Sequence, residues 1–247
     1  MIKGLFNILA VAMLAIAIAA PASATGGDNI IRSVPSGGHA TQYILVKPRD
    51  LDPQEDYPLL VFLHGLGGSA EQTLRSGYPV FTRQGHYVLL PQAPQPHGRG
   101  YSWYDLGDPG KLRRDLDTAE HMVKRLIEEV VSEHHIDRKK MVLSGFSQGG
   151  RLSFYIGIRN PRLFAQIIPV GGYYMPEALD PYIDRLGGLK IRIVHGERDT
   201  VSPYDDIRQA YELLHSKGVD VTLTTHSGGH TCSIGLLQSA FRDIPRH

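Results

Sequence analysis

The sequence predicts an α/β fold, a mostly parallel central sheet covered by helices on both faces. Two observations carry this. Short apolar runs alternate with helical patterns along most of the chain, and such alternation implies crossover connections between parallel strands. One of the runs, Leu59–His64, is apolar up to its last residue, as expected of a strand buried on both sides.

The 247-residue chain begins with a segment that should not be counted as fold. Lys3 precedes an apolar run from Ile8 to Ala20, followed by Pro21 and Ala22-Ser23-Ala24. A basic start, a short hydrophobic middle and an A-x-A end describe a secretory signal peptide cleaved near Ala24. The run is shorter than the ~20 residues a membrane-spanning helix needs, so no stable span is expected after cleavage. The protein should then be exported, to a periplasm or to the medium. Residues 25–38, rich in Gly and Ser, read as a flexible lead-in, and residues 39–247 as one domain.

Strand-like runs follow at Tyr43–Lys47, Leu59–His64, Tyr87–Leu90, Lys140–Leu143, Ala165–Val170, Leu189–His195 and Val219–Thr225. Between them, Leu112, Leu116, Ala119, Val123, Leu126, Ile127 and Val130 recur at three- and four-residue steps, one face of a long amphipathic helix. Gln148–Arg159, Asp205–His215 and Ser233–Phe241 read as further helices. His134-His135 sits at a helix end and is expected on the surface. In such sheets ligands bind beyond the carboxyl ends of the strands.

Charge excludes one class of partner. Lys+Arg number 26 against 25 Asp+Glu, a balance with no electrostatic footprint for nucleic acid. Cys232 is the only cysteine, so neither an intrachain disulfide nor a thiolate zinc site can form. The 12 histidines show no H-E-x-x-H pairing, and neither metal nor organic cofactor is expected.

The run from Met141 to Gly150 leads from a strand through Gly145-Phe-Ser147-Gln-Gly149 into a helix. This strand–turn–helix setting is what a G-x-S-x-G nucleophile elbow requires. The serine needs strained backbone angles, and residues two positions either side must be nearly free of side chain. A serine nucleophile needs a base, and the base an orienting acid. In the α/β-hydrolase fold they follow in the order Ser, acid, His, each after a strand. Asp199 lies in the loop after Leu189–His195 and is favoured over Glu197, too near the strand, and over Asp205 and Asp206, which suit the next helix's first turn. His230, behind Gly228-Gly229, is favoured over His226, which still lies at a strand end. His64-Gly-Leu-Gly-Gly68 frees backbone N–H groups after the first buried strand, as an oxyanion hole requires.

Taken together, His64-Gly-Leu-Gly-Gly68, Pro91-Gln-Ala-Pro94, Ser102-Trp-Tyr-Asp105, Gly145-Phe-Ser-Gln-Gly-Gly150, His195-Gly-Glu-Arg-Asp199 and Gly228-Gly-His230 resemble the phospholipase/carboxylesterase family, which includes the acyl-protein thioesterases. The resemblance implies Ser147, Asp199 and His230 as the triad, with the backbone N–H groups of Leu66 and Gln148 as the oxyanion hole. The chain departs from the family pattern at Gly68, where an acidic residue is common, and at Trp103-Tyr104-Asp105, where an aromatic-Phe-Asp pattern is common.

Trp103 and Tyr104 lie in a long Pro/Gly-rich loop from Pro91 to Gly110 and are candidate substrate-binding residues; packing of Trp103 against the body is the alternative. Tyr173-Tyr174 could line the same cleft, and Cys232 reads as a small helix-face residue. The leading expectation is an exported serine esterase acting on short or medium acyl esters or lysolipid-like substrates. A thioesterase or peptidase using the same triad is the alternative. A silent binding protein is disfavoured by the three intact residues. Only Gly171–Gly188 separates two strands where lipases of this fold often insert a cap, so no large lid domain is expected.

Overall fold

The computed structural model describes residues 30–32, 41–49, 51–105 and 107–241. The expected signal peptide and most of the expected 25–38 lead-in fall outside these residues. Among them an eight-stranded sheet runs in the order β1-β2-β4-β3-β7-β8-β9-β10. Its members are β1 (Ile30–Arg32), β2 (Tyr43–Val46), β3 (Tyr57–Leu63), β4 (Tyr87–Pro91), β7 (Ile136–Phe146), β8 (Gln166–Val170), β9 (Lys190–Gly196) and β10 (Val221–His226). All neighbours from β4 to β10 are parallel; β2 is antiparallel to both β1 and β4. A small hairpin, β5 (Gln95–His97) with β6 (Gly100–Ser102), stands apart. The fold is that of an α/β-hydrolase.

Side chains alternate across each strand, and β3 shows it residue by residue. Leu59, Val61 and Leu63 join one core, whereas Leu60 and Phe62 join the other. The first core is closed by α2 (Pro109–Glu133), α3 (Gln148–Arg159) and α5 (Tyr204–Ser216); the second by α1 (Ala70–Arg75) and α6 (Ile234–Ala240). Of the long helix's stripe, Leu116, Ala119, Val123, Leu126, Ile127 and Val130 are all buried. Asp108 caps this helix, accepting from Gly110 N, and Pro109 opens it, where a missing N–H costs nothing.

The structure adds what periodicity could not show. Ile30–Arg32, within the supposed lead-in, pairs with β2 as an edge strand. The central strand β7 begins four residues earlier than the run at Lys140, because Ile136 pairs with Tyr57 across a register shift. Between β8 and β9 lie only the short helix α4 (Pro176–Leu179) and a 3-10 turn, Asp180–Arg185. No described helix is long and apolar enough to cross a membrane.

Candidate active site

Ser147 stands where β7 turns into α3. Its φ of 56° makes it the one non-glycine residue at positive φ among the described residues, a conformation that costs about 1–3 kcal/mol. Neighbouring contacts hold it there. Ser147 N donates to Val170 O at 2.9 Å, and Arg151 N donates back to Ser147 O at 2.9 Å. The flanking glycines are steric necessities. A Cβ at position 145 would lie 2.4 Å from Gly149 O, and one at 149 would lie 2.1 Å from Leu63 O.

The chain brings two of the predicted partners to this serine. His230 Nε2 is 2.8 Å from Ser147 Oγ, and His230 Nδ1 is 2.7 Å from Asp199 Oδ2. A carboxylate only accepts, so Nδ1 carries the proton and Nε2 of the neutral ring accepts from the hydroxyl. Asp199 is buried, and its Oδ1 accepts from Val201 N at 2.9 Å and Ser202 N at 2.8 Å. Burial works against its charge, but the hydrogen bonds from His230 and from the Ser202 and Val201 amides outweigh it and hold the carboxyl below its usual range. At the end of β9, a Cβ at Gly196 would meet Gly229 O at 2.3 Å; the close approach of the two loops depends on this glycine.

The rivals are engaged elsewhere. Glu197 is exposed and accepts from Thr225 Oγ1, and Asp205 pairs with Arg208 at 3.6 Å. Asp206 is exposed on α5. His226 Nδ1 accepts from Gly228 N at 3.1 Å, shaping the turn that leads to His230.

The glycine loop after β3 packs against the elbow, since a Cβ at Gly65 would lie 3.4 Å from Ser147 Cβ. Gly67 N donates to Tyr101 O and Tyr101 N to Gly68 O, both at 2.9 Å, which ties the loop to the hairpin. Among the described residues the backbone N–H groups of Leu66 and Gln148 have no acceptor; Gln148 opens α3, where such groups are free by construction.

Trp103 and Tyr104, the residues expected to bind substrate, are packed into the body of the fold, 0% and 2% exposed. Trp103 Nε1 donates to His64 O at 2.7 Å, and the indole lies beside the His64 ring. The Gln148 amide explains the burial. Its Oε1 accepts from Trp103 N at 2.9 Å, while its Nε2 donates to Ser102 Oγ at 2.8 Å and Tyr104 O at 3.2 Å. The loop is thereby clamped to the elbow.

Two residues that open quoted motifs had been given no role of their own, and the structure gives each one. His64 is buried, with Nδ1 donating to Gly65 O at 2.8 Å and Nε2 accepting from Ala93 N and the Gln92 amide, both at 3.2 Å. Burial lowers its pKa to about 4, against a smaller opposing effect of the Gly65 carbonyl. It is a neutral strut inside the glycine loop. His195, 1% exposed, donates from Nε2 to Ser202 O at 2.7 Å and so braces the Asp199 turn. Burial also holds this imidazole below its ordinary pKa.

Of the remaining candidates, Tyr173 is exposed, whereas Tyr174 is buried and donates to Asp180 Oδ1 at 2.8 Å. Cys232 packs against the second core. His135 lies on the surface; His134 is half-buried and stacks on Tyr87. Among the described residues no three His, Cys, Asp or Glu side chains are grouped to hold a metal ion.

Comparison with known proteins decides the family. A phospholipase/carboxylesterase family model matches residues 51–244. The chain belongs to this family. It is similar to the acyl-protein thioesterase 1 of Debaryomyces hansenii, 26% identical over 209 residues that cover 75% of this chain and 89% of that one. A Nocardia uniformis subsp. tsuyamanensis protein, NocK, named as an esterase candidate, is 25% identical over 156 residues, 63% of this chain but only 44% of that longer protein. Among solved structures, esterase PE8 superposes with a TM-score of 0.63 at 25% identity, covering 81% of this chain and 97% of that one. A phospholipase/carboxylesterase from Dyadobacter fermentans shares the fold at 23% identity, with a TM-score of 0.66 over 85% and 98% of the two chains. This family member is a hydrolase of the esterase/thioesterase type.

Proposed function

We propose that this hydrolase cleaves carboxylic esters through a covalent acyl-enzyme, with Ser147, His230 and Asp199 as its triad. The observation that carries the reading is the continuous line Ser147 Oγ, His230, Asp199 at 2.8 and 2.7 Å on a strained elbow. Oγ attacks the carbonyl carbon as its proton passes to His230 Nε2. Asp199 steadies the imidazolium and its tautomer. The oxyanion is taken by the N–H groups of Leu66 and Gln148, an interaction worth several kcal/mol in a dry site. His230 then protonates the leaving alcohol, and water repeats the sequence on the acyl-enzyme.

The short segment between two strands beside the site supports a reading of the substrate class. Only α4 and a 3-10 turn separate β8 from β9, too little to enclose a long acyl chain, and each CH₂ left in water forgoes ~0.8 kcal/mol. Short and medium acyl esters should therefore turn over faster than insoluble triglycerides, without interfacial activation. Nitrophenyl esters of increasing chain length, run beside triolein, a thioester and a peptide, test this. A rate that jumps as triolein passes into emulsion, with little turnover of butyrate, would contradict it; a faster thioester would favour the thioesterase alternative.

Export belongs to the same reading, supported by the basic start, apolar run and Ala22-Ser23-Ala24 of the first residues. The mature protein should begin at Thr25 and be recovered outside the cytoplasm. An unprocessed N-terminus in the cytoplasm would overturn it.

A further inference from the structure

Arginines that a fold covers are normally paired with carboxylates, because a guanidinium removed from water needs compensation. Among the arginines whose burial is described, three are not fully exposed: Arg151, Arg159 and Arg192. Arg159 pairs with Glu120 and Asp117, and Arg192 with Asp220. Arg151 has no carboxylate partner among the described residues. Its guanidinium instead lies between two rings, 5.5 Å from the Tyr104 centroid and 4.9 Å from that of Tyr173.

Its position is as telling as its charge. Arg151 is one turn below the nucleophile on α3, its N–H bonded to Ser147 O. Tyr173 follows Gly171-Gly172, and a Cβ at Gly171 would lie 3.5 Å from the His230 ring. Gly172 Cα would be 2.9 Å from a Cβ at Gly150. Arg151 and Tyr173 thus stand on two elements that touch beside the triad. Tyr173 and Val201 are the exposed large hydrophobic residues of the described chain, and Val201 N binds the Asp199 carboxylate. Tyr104 cannot neutralise the cation. Burial lifts its phenol to about 12, with Arg151 opposing, so it faces the guanidinium as a neutral ring.

We propose that Arg151 and Tyr173 form a specificity subsite for esters bearing a carboxylate, the guanidinium taking the carboxylate and the exposed Tyr173 ring covering the segment that joins it to the scissile bond. A bidentate guanidinium–carboxylate contact supplies both charge and orientation. Ser147 and Arg151 stand one helical turn, ~5.4 Å, apart along α3, so the carboxylate is sought within a few bonds of the carbonyl that Ser147 attacks. This inference rests on the esterase reading above and names its preferred substrates.

Two matched pairs test it. On the acyl side, nitrophenyl hemiglutarate is compared with nitrophenyl valerate; on the alcohol side, the butyrate ester of 4-hydroxybenzoate is compared with that of its amide. The carboxylate member of at least one pair should be preferred roughly tenfold or more in kcat/KM, mainly through KM, and the preference should shrink as salt rises. Arg151→Met should remove that preference, Arg151→Lys should keep part of it, and Arg151→Glu should reverse it towards an ester carrying an ammonium group. Fluorophosphonate labelling of Ser147 in each variant shows that the site is intact. Neutral esters turned over with no carboxylate preference in either pair would overturn the subsite while leaving the esterase reading standing. Equal losses on charged and neutral esters in Arg151→Met would overturn it too. A wild type inactive on every ester would defeat the esterase reading and this inference with it.

Discussion

Two polar clusters in this chain are made of similar parts and differ in what they leave unmet. Between α2 and α3, Arg159 donates to Glu120 at 2.8 Å and to Asp117 at 3.1 Å. Tyr155 OH donates to Asp117 at 2.7 Å, and Asn160 donates to Glu120 while accepting from Lys124. Donors meet acceptors here, opposite charges are matched, and the cluster closes on itself. At the end of the sheet, Ser147, His230 and Asp199 also form a hydrogen-bonded chain with a buried carboxylate. This chain ends at a strained serine, beside two backbone N–H groups that have no acceptor among the described residues. Acid and base within hydrogen-bond distance do not distinguish a site from a brace. Strain and unmet hydrogen-bonding capacity do.

The comparison can be sharpened by breaking each cluster in turn. The largest effect is expected from Asp199→Asn, which keeps the shape but presents an amide to the ring and selects the wrong tautomer. A loss of about 10⁴-fold in kcat is expected, with little change in the denaturation midpoint. A loss under tenfold would mean that the carboxylate does not orient His230. The α2–α3 cluster should respond the other way. Glu120→Ala leaves Arg159 half-paired at a buried site and should cost about 3 kcal/mol in stability, while kcat/KM of the folded protein stays within about threefold. A stable Glu120→Ala variant with crippled kcat would make that cluster part of the site.

An effect of similar size is expected from pH at the glycine loop beside the serine. His64 has a folded-state pKa of about 4, against about 6.5 for an imidazole in the unfolded chain. The unfolded state therefore binds more protons between those values, and stability falls as pH drops from 6.5 towards 4, by roughly 3 kcal/mol in all. Replacing this strut by a group that does not titrate, His64→Asn, should flatten that part of the curve. Urea unfolding of both proteins across the window measures it, and parallel curves would show that His64 is not buried as a neutral ring.

Legibility followed the range of the interaction. The elbow was readable because G-x-S-x-G is local and its steric demands fall on residues two positions away, as the close approaches at Gly145 and Gly149 show. Asp199 and His230 were readable from loop position after successive strands. The burial of Trp103 was not, because it depends on the Gln148 amide reaching a residue 45 positions away, and such bonds leave no periodic trace. The strut role of His64 was hidden for the same reason, its partners Gln92 and Ala93 being 28 and 29 residues distant. Ile30–Arg32 is too short, among glycines and serines, to signal a strand before its partner β2 is known.

The central claim is that Ser147 forms the covalent intermediate, and a fluorophosphonate adduct located by peptide mass spectrometry tests it most directly. One adduct per chain is expected, on the peptide carrying Ser147, with labelling and ester hydrolysis both lost in Ser147→Ala. An adduct on another residue, or ester hydrolysis at the wild-type rate in Ser147→Ala, would contradict it.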